Sequence, residues 1–433
     1  MRAADRTRSS RECAPLIVHV RAEKEGSPVI KFRIVGMVVW GFLVWATPAR
    51  ADVVVDWNLI TFQTAPATRF QGVLIDYAMV HLAMHDAIQA FEHRYEPYGL
   101  PIAGATGSPI AAAATAAHDV LANRFPASAG SLATTLNNYL SSRGLLGNAG
   151  IAVGHQAASQ IIALRVGTGD WPANPEVLTG GTDPGEWRPA PPAFAPFQLP
   201  WLGSVVPFTS KDSTQFRPSP PPPHLTSGEY VRDYNEVKAL GRASGSARTQ
   251  AQTDLAVFYS DNFIILWQRT LRSIGGTINN LGDNARLFAL SEVAAIDSII
   301  SSWETKKFYN FWRPLTAIQE GAKDGNSRTD GDPGWLPFLP TPPYPDYTSG
   351  ANNLTGSITR TLAHLLGDKT TFSVFSTPAN RTITYDRFSD MADDVVDVRI
   401  YQGIHFRFAD EVGRRQGRHV ADWAVSHFLR PLD

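Results

Sequence analysis

The chain has 433 residues, of which 43% are hydrophobic, 10% aromatic and 18% charged, and this composition excludes disorder as its main state. Nine of the 39 basic and four of the 40 acidic residues fall within positions 1–51, so positions 52–433 carry 30 basic and 36 acidic residues, a net charge of −6. That charge argues against bulk attraction to nucleic acid, so an anion site has to be built locally. The single cysteine, Cys13, excludes disulfide chemistry beyond position 51.

The N-terminal segment has the features of an export signal. The apolar run IVGMVVWGFLVWA follows Lys31 and Arg33 and is shorter than the roughly 18 residues that a membrane span needs. The A-x-A pattern in TPARA predicts cleavage after Ala51. We therefore expect residues 1–51 to be a signal peptide with an over-long start, and the mature protein to be secreted or periplasmic without a stable membrane span. The alternative is an uncleaved anchor.

The periodic segments that follow are typical of helices. In LIDYAMVHLAMHDAIQAF, Leu74, Ala78 and Leu82 share one face. SPIAAAATAAHDVLANRF is alanine-rich and has Pro109 near its start, where proline suits the first helical turn. We assign residues 52–166 to an N-terminal helical region.

A proline-rich connection comes next, at residues 167–224. It contains GTDPGEWRPAPPAFAPFQLPW and RPSPPPP, and so many prolines exclude a helix interior. Long connections without secondary structure are usually functional. The two alternatives are a lid over a site and a rigid extended wrap.

Helical patterns then resume and continue to the C terminus, through residues 225–433. Thr226 and Glu229 form a capping-box pattern at the start of LTSGEYVRDYNEVKAL. RLFALSEVAAIDSIISSWETKKF carries an apolar stripe, and EVGRRQGRHVADWAVSHFL supplies a last helix. The sequence shows no comparable run of alternating strand residues. We therefore predict an all-α fold.

Two cations lie seven residues apart in KKFYNFWRPLTAI. Lys306 and Arg313 would enter one cavity if a helix continued across both, but Pro314 disfavours that continuation. Arginine offers a fork for two oxygens and lysine a point charge, a combination that suits an oxyanion. The alternative is an exposed basic helix end.

A second pair and a loop complete a candidate anion site. Arg399 and His405 are six residues apart, about 120° around a continuous helix, so they converge only if the helix breaks. Gly403 can supply that break. In the intervening loop PTPPYPDYTSGANNL, the Ser349 hydroxyl and the Gly350 N–H are donors suited to an oxyanion.

The order of these motifs resembles the signature of vanadium-dependent haloperoxidases and of the type 2 phosphatidic acid phosphatases, which is K-x6-R-P, P-S-G-H and R-x5-H. HLAMHDAI, YNFWRPLTAI and IYQGIHFRFADE also look like the secreted bacterial branch of the haloperoxidases. The resemblance covers most of the mature chain and implies two packed helical bundles, with the oxyanion site in the C-terminal one. The matching residues are Lys306, Arg313, Pro314, Ser349, Gly350, Arg399 and His405.

The resemblance implies a role for each matching residue. Vanadate is the implied cofactor, with phosphate as a competing occupant. His405 would be the axial vanadium ligand, or the nucleophile in a phosphatase. The oxyanion oxygens would contact Lys306, Arg313 and Arg399 as cations, and Ser349 and the Gly350 N–H as hydrogen-bond donors.

The chain departs from the family pattern at the loop. Ala351 replaces the acid–base histidine of P-S-G-H, a group whose help is typically worth ~10²–10⁴ in rate. Thr348 replaces the proline, a smaller change. Where some members carry an aspartate four residues after the axial histidine, this chain has Ala409 with Asp410 beside it. The neighbours considered as substitutes for the histidine are Asp346, Tyr347, Asn352 and Asn353.

These observations favour an enzyme that oxidises halide with hydrogen peroxide and acts on a small organic acceptor, impaired by Ala351. One alternative is a phosphatase that cleaves phosphate esters or anhydrides at the same site. Another is a non-catalytic oxyanion-binding protein. We expect no nucleic-acid partner.

Other histidines and aromatic residues have two interpretations. His81 and His85 are four residues apart beside Asp86 and would suit a metal, as would His118 with Asp119, but helix packing is the alternative for both pairs. Four aromatic residues near Lys306 would line either a substrate pocket or the core. They are Trp303, Phe308, Phe311 and Trp312.

Overall fold

The computed structural model describes residues 52–432, so the expected signal peptide lies outside the described residues. Within this range the prediction of an all-α fold is confirmed, with one small β-hairpin that the sequence patterns had not indicated. The helices are α1 (Val53–Thr64), α2 (Val73–Glu92), α3 (Pro109–Arg124), α4 (Ala129–Ser141), α5 (Gly150–Leu164), α6 (Gly228–Leu240), α7 (Gln250–Phe258), α8 (Phe263–Gly275), α9 (Leu281–Tyr309), α10 (Pro314–Gln319), α11 (Gly350–Leu366), α12 (Phe388–Tyr401) and α13 (Arg407–His427). The hairpin pairs β1 (Phe372–Ser376) with β2 (Arg381–Tyr385) antiparallel.

Helix α6 begins one residue later than the capping-box pattern predicted. Ser227, not Thr226, is the N-cap, and its Oγ accepts a hydrogen bond from the Tyr230 N–H at 3.1 Å. The Thr226 hydroxyl instead lies 2.8 Å from His224 Nδ1. Two adjacent hydroxyl residues compete for the same cap, and the direction of the incoming chain decides between them.

Helix α9 is the central element of the fold. Its residues from Gly282 to Lys306 are buried almost without interruption, because α2, α11 and α13 all pack against it. One apolar core runs from Val53 through α9 to Leu429, so helices on both sides of the proline-rich connection contribute to it. The boundaries assigned to the two helical regions remain predictions.

The proline-rich connection is anchored to this core along its length. Trp187 and Trp201 are buried, and the carboxylate of Asp297 on α9 accepts backbone hydrogen bonds from Phe208 and Thr209, both at 2.7 Å. A segment tied down by buried aromatic rings and backbone bonds corresponds to the extended wrap, not to a lid.

Helices α11 and α13 approach each other closely through glycine. A Cβ at Gly417 would lie 2.1 Å from the Asn353 carbonyl oxygen, and a Cβ at Gly413 would lie 2.7 Å from the Ser349 carbonyl oxygen. Only glycine permits this separation. The contact fixes the start of α11, where Ser349 lies, against α13.

None of the helices between residues 52 and 432 is both long and apolar enough to cross a membrane.

Candidate active site

Lys306 and Arg313 meet although the helix between them breaks. Helix α9 ends at Tyr309, Asn310 takes a left-handed conformation, and Arg313 is the N-cap of α10. The residue before a proline avoids helical geometry, and Arg313 is extended, with φ −86° and ψ 157°. The chain reversal, and not a continuous helix, brings the two cations together.

Both cations are buried against the loop that precedes α11. Lys306 Nζ donates to the carbonyl oxygens of Pro345 and Asp346 at 2.6 and 3.0 Å. Arg313 Nε donates to the Tyr344 carbonyl oxygen at 2.8 Å. Each side chain is fully buried, which contradicts the alternative of an exposed basic helix end.

Arg399 and His405 converge through the predicted break. Helix α12 ends at Tyr401, and Gly403 has a φ of +76°, where a Cβ would lie 2.3 Å from the Gly241 carbonyl oxygen. His405 Nε2 lies 3.0 Å from Arg313 Nη1. The two pairs of residues, distant in sequence, therefore form one site.

Ser349 and Gly350 begin α11 beside this site. Ser349 is the N-cap, and Gly350 is the first helical residue. A Cβ at Gly350 would lie 3.0 Å from the Trp303 ring, so glycine lets the backbone N–H lie close to the cavity wall. A helix N-terminus favours anions, because its first N–H groups have no partner within the helix.

The candidate oxyanion residues lie in or behind the wall of a cavity of about 330 Å³. Gly350, Ala351, Arg399 and His405 line it, whereas Lys306, Arg313 and Ser349 lie behind its wall. Apolar and aromatic side chains complete the lining, among them Phe70, Leu74, Phe263, Trp303 and Leu339.

The electrostatics of the site suit an oxyanion. Burial lowers the pKa of Lys306 well below its usual value, and repulsion from Arg313 and Arg399 lowers it further. Burial also lowers the pKa of Arg399 to about 10. Arg313 Nη2 and Arg399 Nε are buried and have no hydrogen-bond partner among the described residues. Donors left without acceptors beside mutually repelling cations fit a bound vanadate or phosphate.

Two buried carboxyl groups belong to the site; the sequence suggested Asp346 only as a substitute for the missing histidine and suggested no role for the other. Asp346 Oδ1 lies 2.8 Å from His405 Nδ1, a close contact that is poorly aligned for a hydrogen bond. Burial raises the pKa of Asp346 to about 7, against the opposing charges of Arg313 and Lys306. A carboxyl group beside Nδ1 can orient a histidine ring, and Nε2 here faces the Arg313 Nη1 donor at 3.0 Å. The available signal was the acidic residue three positions before Ser349.

The second carboxyl group, Asp410, lies under the start of α11. Its Oδ1 accepts a hydrogen bond from Asn352 Nδ2 at 2.8 Å. Burial raises the pKa of Asp410 well above its usual value, and a hydrogen bond with Ser349 opposes that rise.

The other histidine pairs are structural. His81 Nε2 lies 2.9 Å from Asn58 Nδ2, its ring stacks on Phe288, and His85 Nε2 lies 3.1 Å from the Glu96 carbonyl oxygen. Residues 52–432 contain no group of three or more His, Cys, Asp or Glu side chains that could hold a metal ion, which favours the helix-packing interpretation of these histidines.

The four aromatic residues near Lys306 divide between pocket, core and surface. Trp303 lines the cavity, Phe311 and Trp312 are buried in a second apolar cluster, and the Phe308 side chain is 57% exposed.

Comparison with known proteins finds similarity over the part of the chain that contains the candidate oxyanion residues. Residues 286–433 match the model of the VCPO second helical-bundle domain, a range that contains every member of the candidate site. The vanadium chloroperoxidase of Curvularia inaequalis is 28% identical over 226 residues, which are 44% of this chain and 36% of that protein. The chain thus aligns with about a third of the length of this curated relative.

Two solved structures share the fold. A bacterial vanadium-dependent iodoperoxidase superposes with a TM-score of 0.70 at 23% identity, over 88% of this chain and 97% of the other. The holo form of a bacterial vanadium-dependent chloroperoxidase superposes with a TM-score of 0.66 at 16% identity, over 85% and 96%. These similarities show that the chain has the fold of these two vanadium-dependent haloperoxidases and that residues 286–433 are similar to the VCPO second helical-bundle domain.

Proposed function

We propose that this protein binds vanadate and oxidises halide with hydrogen peroxide, and that the oxidised halide reacts with a small organic acceptor. The observation that carries the proposal is the convergence of three buried cations on His405 beside an apolar cavity. Each cation lowers the pKa of the His405 imidazole, after the larger effect of burial, and so favours the neutral ring that a metal requires.

The side chains divide the work of holding the oxyanion. Lys306, Arg313 and Arg399 would neutralise its charge. The Gly350 N–H would donate a hydrogen bond to its oxygens, as would the Ser349 hydroxyl on turning from Asp410. His405 Nε2, which lies 3.0 Å from Arg313 Nη1, would supply the ligand to vanadium, and Asp346 lies against Nδ1. Bound vanadate supplies the Lewis acidity that makes peroxide electrophilic toward halide.

The cavity walls suit the halide and the acceptor. Phe263, Trp303 and Leu339 exclude water from one side, and Arg399 provides a positive charge at the surface of the cavity. A volume of about 330 Å³ lies at the lower end of the range for small-molecule sites, which favours a compact acceptor.

The decisive experiment is bromination of an organic acceptor by the purified protein, with peroxide and bromide, before and after orthovanadate is added. We expect turnover that depends on vanadate and is abolished in His405→Ala. His81→Ala is the matched control, because that histidine is equally buried but lies in helix packing. Phosphate release from an ester or anhydride without peroxide would instead identify a phosphatase, and oxyanion binding without either activity would identify a binding protein.

We also propose that the mature protein is secreted or periplasmic. The support is the signal-like sequence of residues 1–51. N-terminal sequencing of the exported protein should begin at Asp52, and recovery of the uncleaved chain in the cell pellet would contradict the proposal.

A further inference from the structure

The family's acid–base histidine has no counterpart at position 351, and none of the neighbours considered as substitutes faces the cavity. Asn352 Nδ2 donates to Asp410, and Asn353 Nδ2 donates to Thr348 Oγ1 at 3.0 Å. Tyr347 lines a different cavity, on the side of the proline-rich connection. The fourth substitute, Asp346, lies behind His405.

Besides Arg399 and His405, the ionisable side chains that line the cavity are Tyr259, Asp261 and Tyr344. Two of them are engaged elsewhere. Tyr259 Oη lies 2.6 Å from Tyr385 Oη, and Asp261 Oδ2 accepts from the Thr377 N–H at 3.1 Å and lies 3.5 Å from Arg269 Nη1.

Tyr344 is the remaining one, and it contacts the oxyanion residues. Its ring packs on Trp303 with the centroids 5.0 Å apart. The ring centroid lies 5.1 Å from Lys306 Nζ and 4.9 Å from Arg313 Cζ. The side chain is half-buried and belongs to the lining of the cavity.

Two guanidinium groups lie close to this phenol. Burial lowers the pKa of Arg399, and the nearby Tyr344 is the first of the groups that oppose this effect. The same phenol opposes the lowering that burial causes in the pKa of Arg313. The Tyr344 side chain therefore interacts with two of the charges that would hold an oxyanion.

We propose that Tyr344 is the hydrogen-bond donor and proton-transfer residue of this site, in place of the histidine that Ala351 lacks. The inference rests on the proposed function for its catalytic part, and on oxyanion binding alone for its structural part. Tyr344 Oη donates its proton to an oxygen of the bound oxyanion or of peroxide; the O–H bond of the phenol breaks as the new O–H bond forms. A solvent proton, relayed through water in the cavity, re-forms the phenol O–H bond, and it is the one proton that halide oxidation by peroxide consumes.

The test is a double-mutant cycle of Tyr344→Phe and Ala351→His with two readouts, orthovanadate affinity by calorimetry and bromination rate. Tyr344→Phe keeps the ring on Trp303 and should weaken vanadate binding about 10-fold, because one hydrogen bond to a charged acceptor is lost. It should slow bromination by about 100-fold. Tyr259→Phe, which removes a phenol engaged with Tyr385, should leave the vanadate affinity unchanged.

Ala351→His should restore affinity and rate much more in the Tyr344→Phe background than in the wild type, because the two groups serve the same role. Equal gains in both backgrounds would overturn the proposal, as would unchanged affinity in Tyr344→Phe. Tyr344-dependent vanadate affinity without bromination would support the binding role of Tyr344 while contradicting the proposed function. Bromination that depends on His405 but not on Tyr344 would support the proposed function while contradicting the proposed role of Tyr344.

Discussion

Two buried polar regions of this protein differ in the charge state of their ionisable side chains. Near the N-terminal helices, Asn58 bonds to His81 and Gln268, Gln268 bonds to Glu292 at 2.7 Å, and Arg272 bonds to Asn58 at 2.7 Å. Both regions contain buried atoms without partners among the described residues, but in the first these are His81 Nδ1 and Glu292 Oε2, whereas at the oxyanion site they include the guanidinium atoms Arg313 Nη2 and Arg399 Nε.

The imidazole and the carboxyl group of the first region favour their neutral forms. Burial lowers the pKa of His81 to about 3 and raises that of Glu292 to about 8. The arginines of the oxyanion site cannot lose their charge at neutral pH in this way, since the pKa of Arg399 is still about 10. Buried charges that persist and repel one another therefore identify the region that requires a ligand.

The largest expected effect tests whether the Glu292 carboxyl of the first region is neutral. The Glu292 carboxyl deprotonates near 4.5 in the unfolded chain and near 8 in the folded one, so folding stability should fall as pH rises between these values. Glu292→Gln keeps a hydrogen-bond acceptor for Gln268 but cannot ionise. The wild type should therefore lose about 4 kcal/mol of unfolding free energy by pH 8, and the variant should not. Urea unfolding at pH 5 and 8 measures this difference. The exposed Glu229→Gln is the control, and an unchanged pH dependence in Glu292→Gln would contradict the prediction.

A smaller effect should change the oxyanion site and leave the pH dependence of the first region intact. Gly417→Ala places a Cβ 2.1 Å from the Asn353 carbonyl oxygen and should destabilise the α11–α13 contact by about 3 kcal/mol. Because that contact fixes Ser349, the variant should also bind phosphate more weakly. The stability change between pH 5 and 8 that arises from Glu292 should remain. Gly130→Ala, where a Cβ meets open space, should cost no stability, and a similar loss in both variants would refute the packing argument.

The smallest expected effect tests whether the charge of Arg399 at the oxyanion site destabilises the ligand-free protein. The lowered pKa of Arg399 means that the charged guanidinium destabilises the folded state. Arg399→Gln should therefore raise the free energy of unfolding of the ligand-free protein by about 1–2 kcal/mol. The same change should weaken orthophosphate binding about 10-fold. Thermal unfolding with and without phosphate reads both effects.

Arg407→Gln is the matched control for that variant. Hydrogen bonds with Glu236 raise the pKa of Arg407, so removing this charge should lower stability and leave phosphate binding unchanged. A loss of stability in Arg399→Gln would mean that the ligand-free cations are compensated, contrary to the comparison.

The sequence alone was sufficient where chemistry is encoded by order and spacing. The three motifs around Lys306, Ser349 and His405 predicted one anion site, and the helical periodicities predicted the fold class. Gly403 signalled the break that lets Arg399 and His405 meet, because a left-handed residue there requires glycine.

Other features depended on competition between neighbours. Thr226 and Ser227 are both good caps, and only the path of the entering chain selected Ser227. The β1–β2 hairpin is short and its outward strand is largely exposed, so it left no clear alternation in the sequence.

The sequence by itself predicted which residues would carry the anion chemistry, and it showed that Ala351 stands where the family motif has its histidine. Only the tertiary structure decided that Asp346 lies behind His405 and that Tyr344 contacts the cations. The physical reason is that the chain reversal after α9 and the glycine contacts between α11 and α13 set these distances. Such long-range packing has no period or spacing that a single sequence displays.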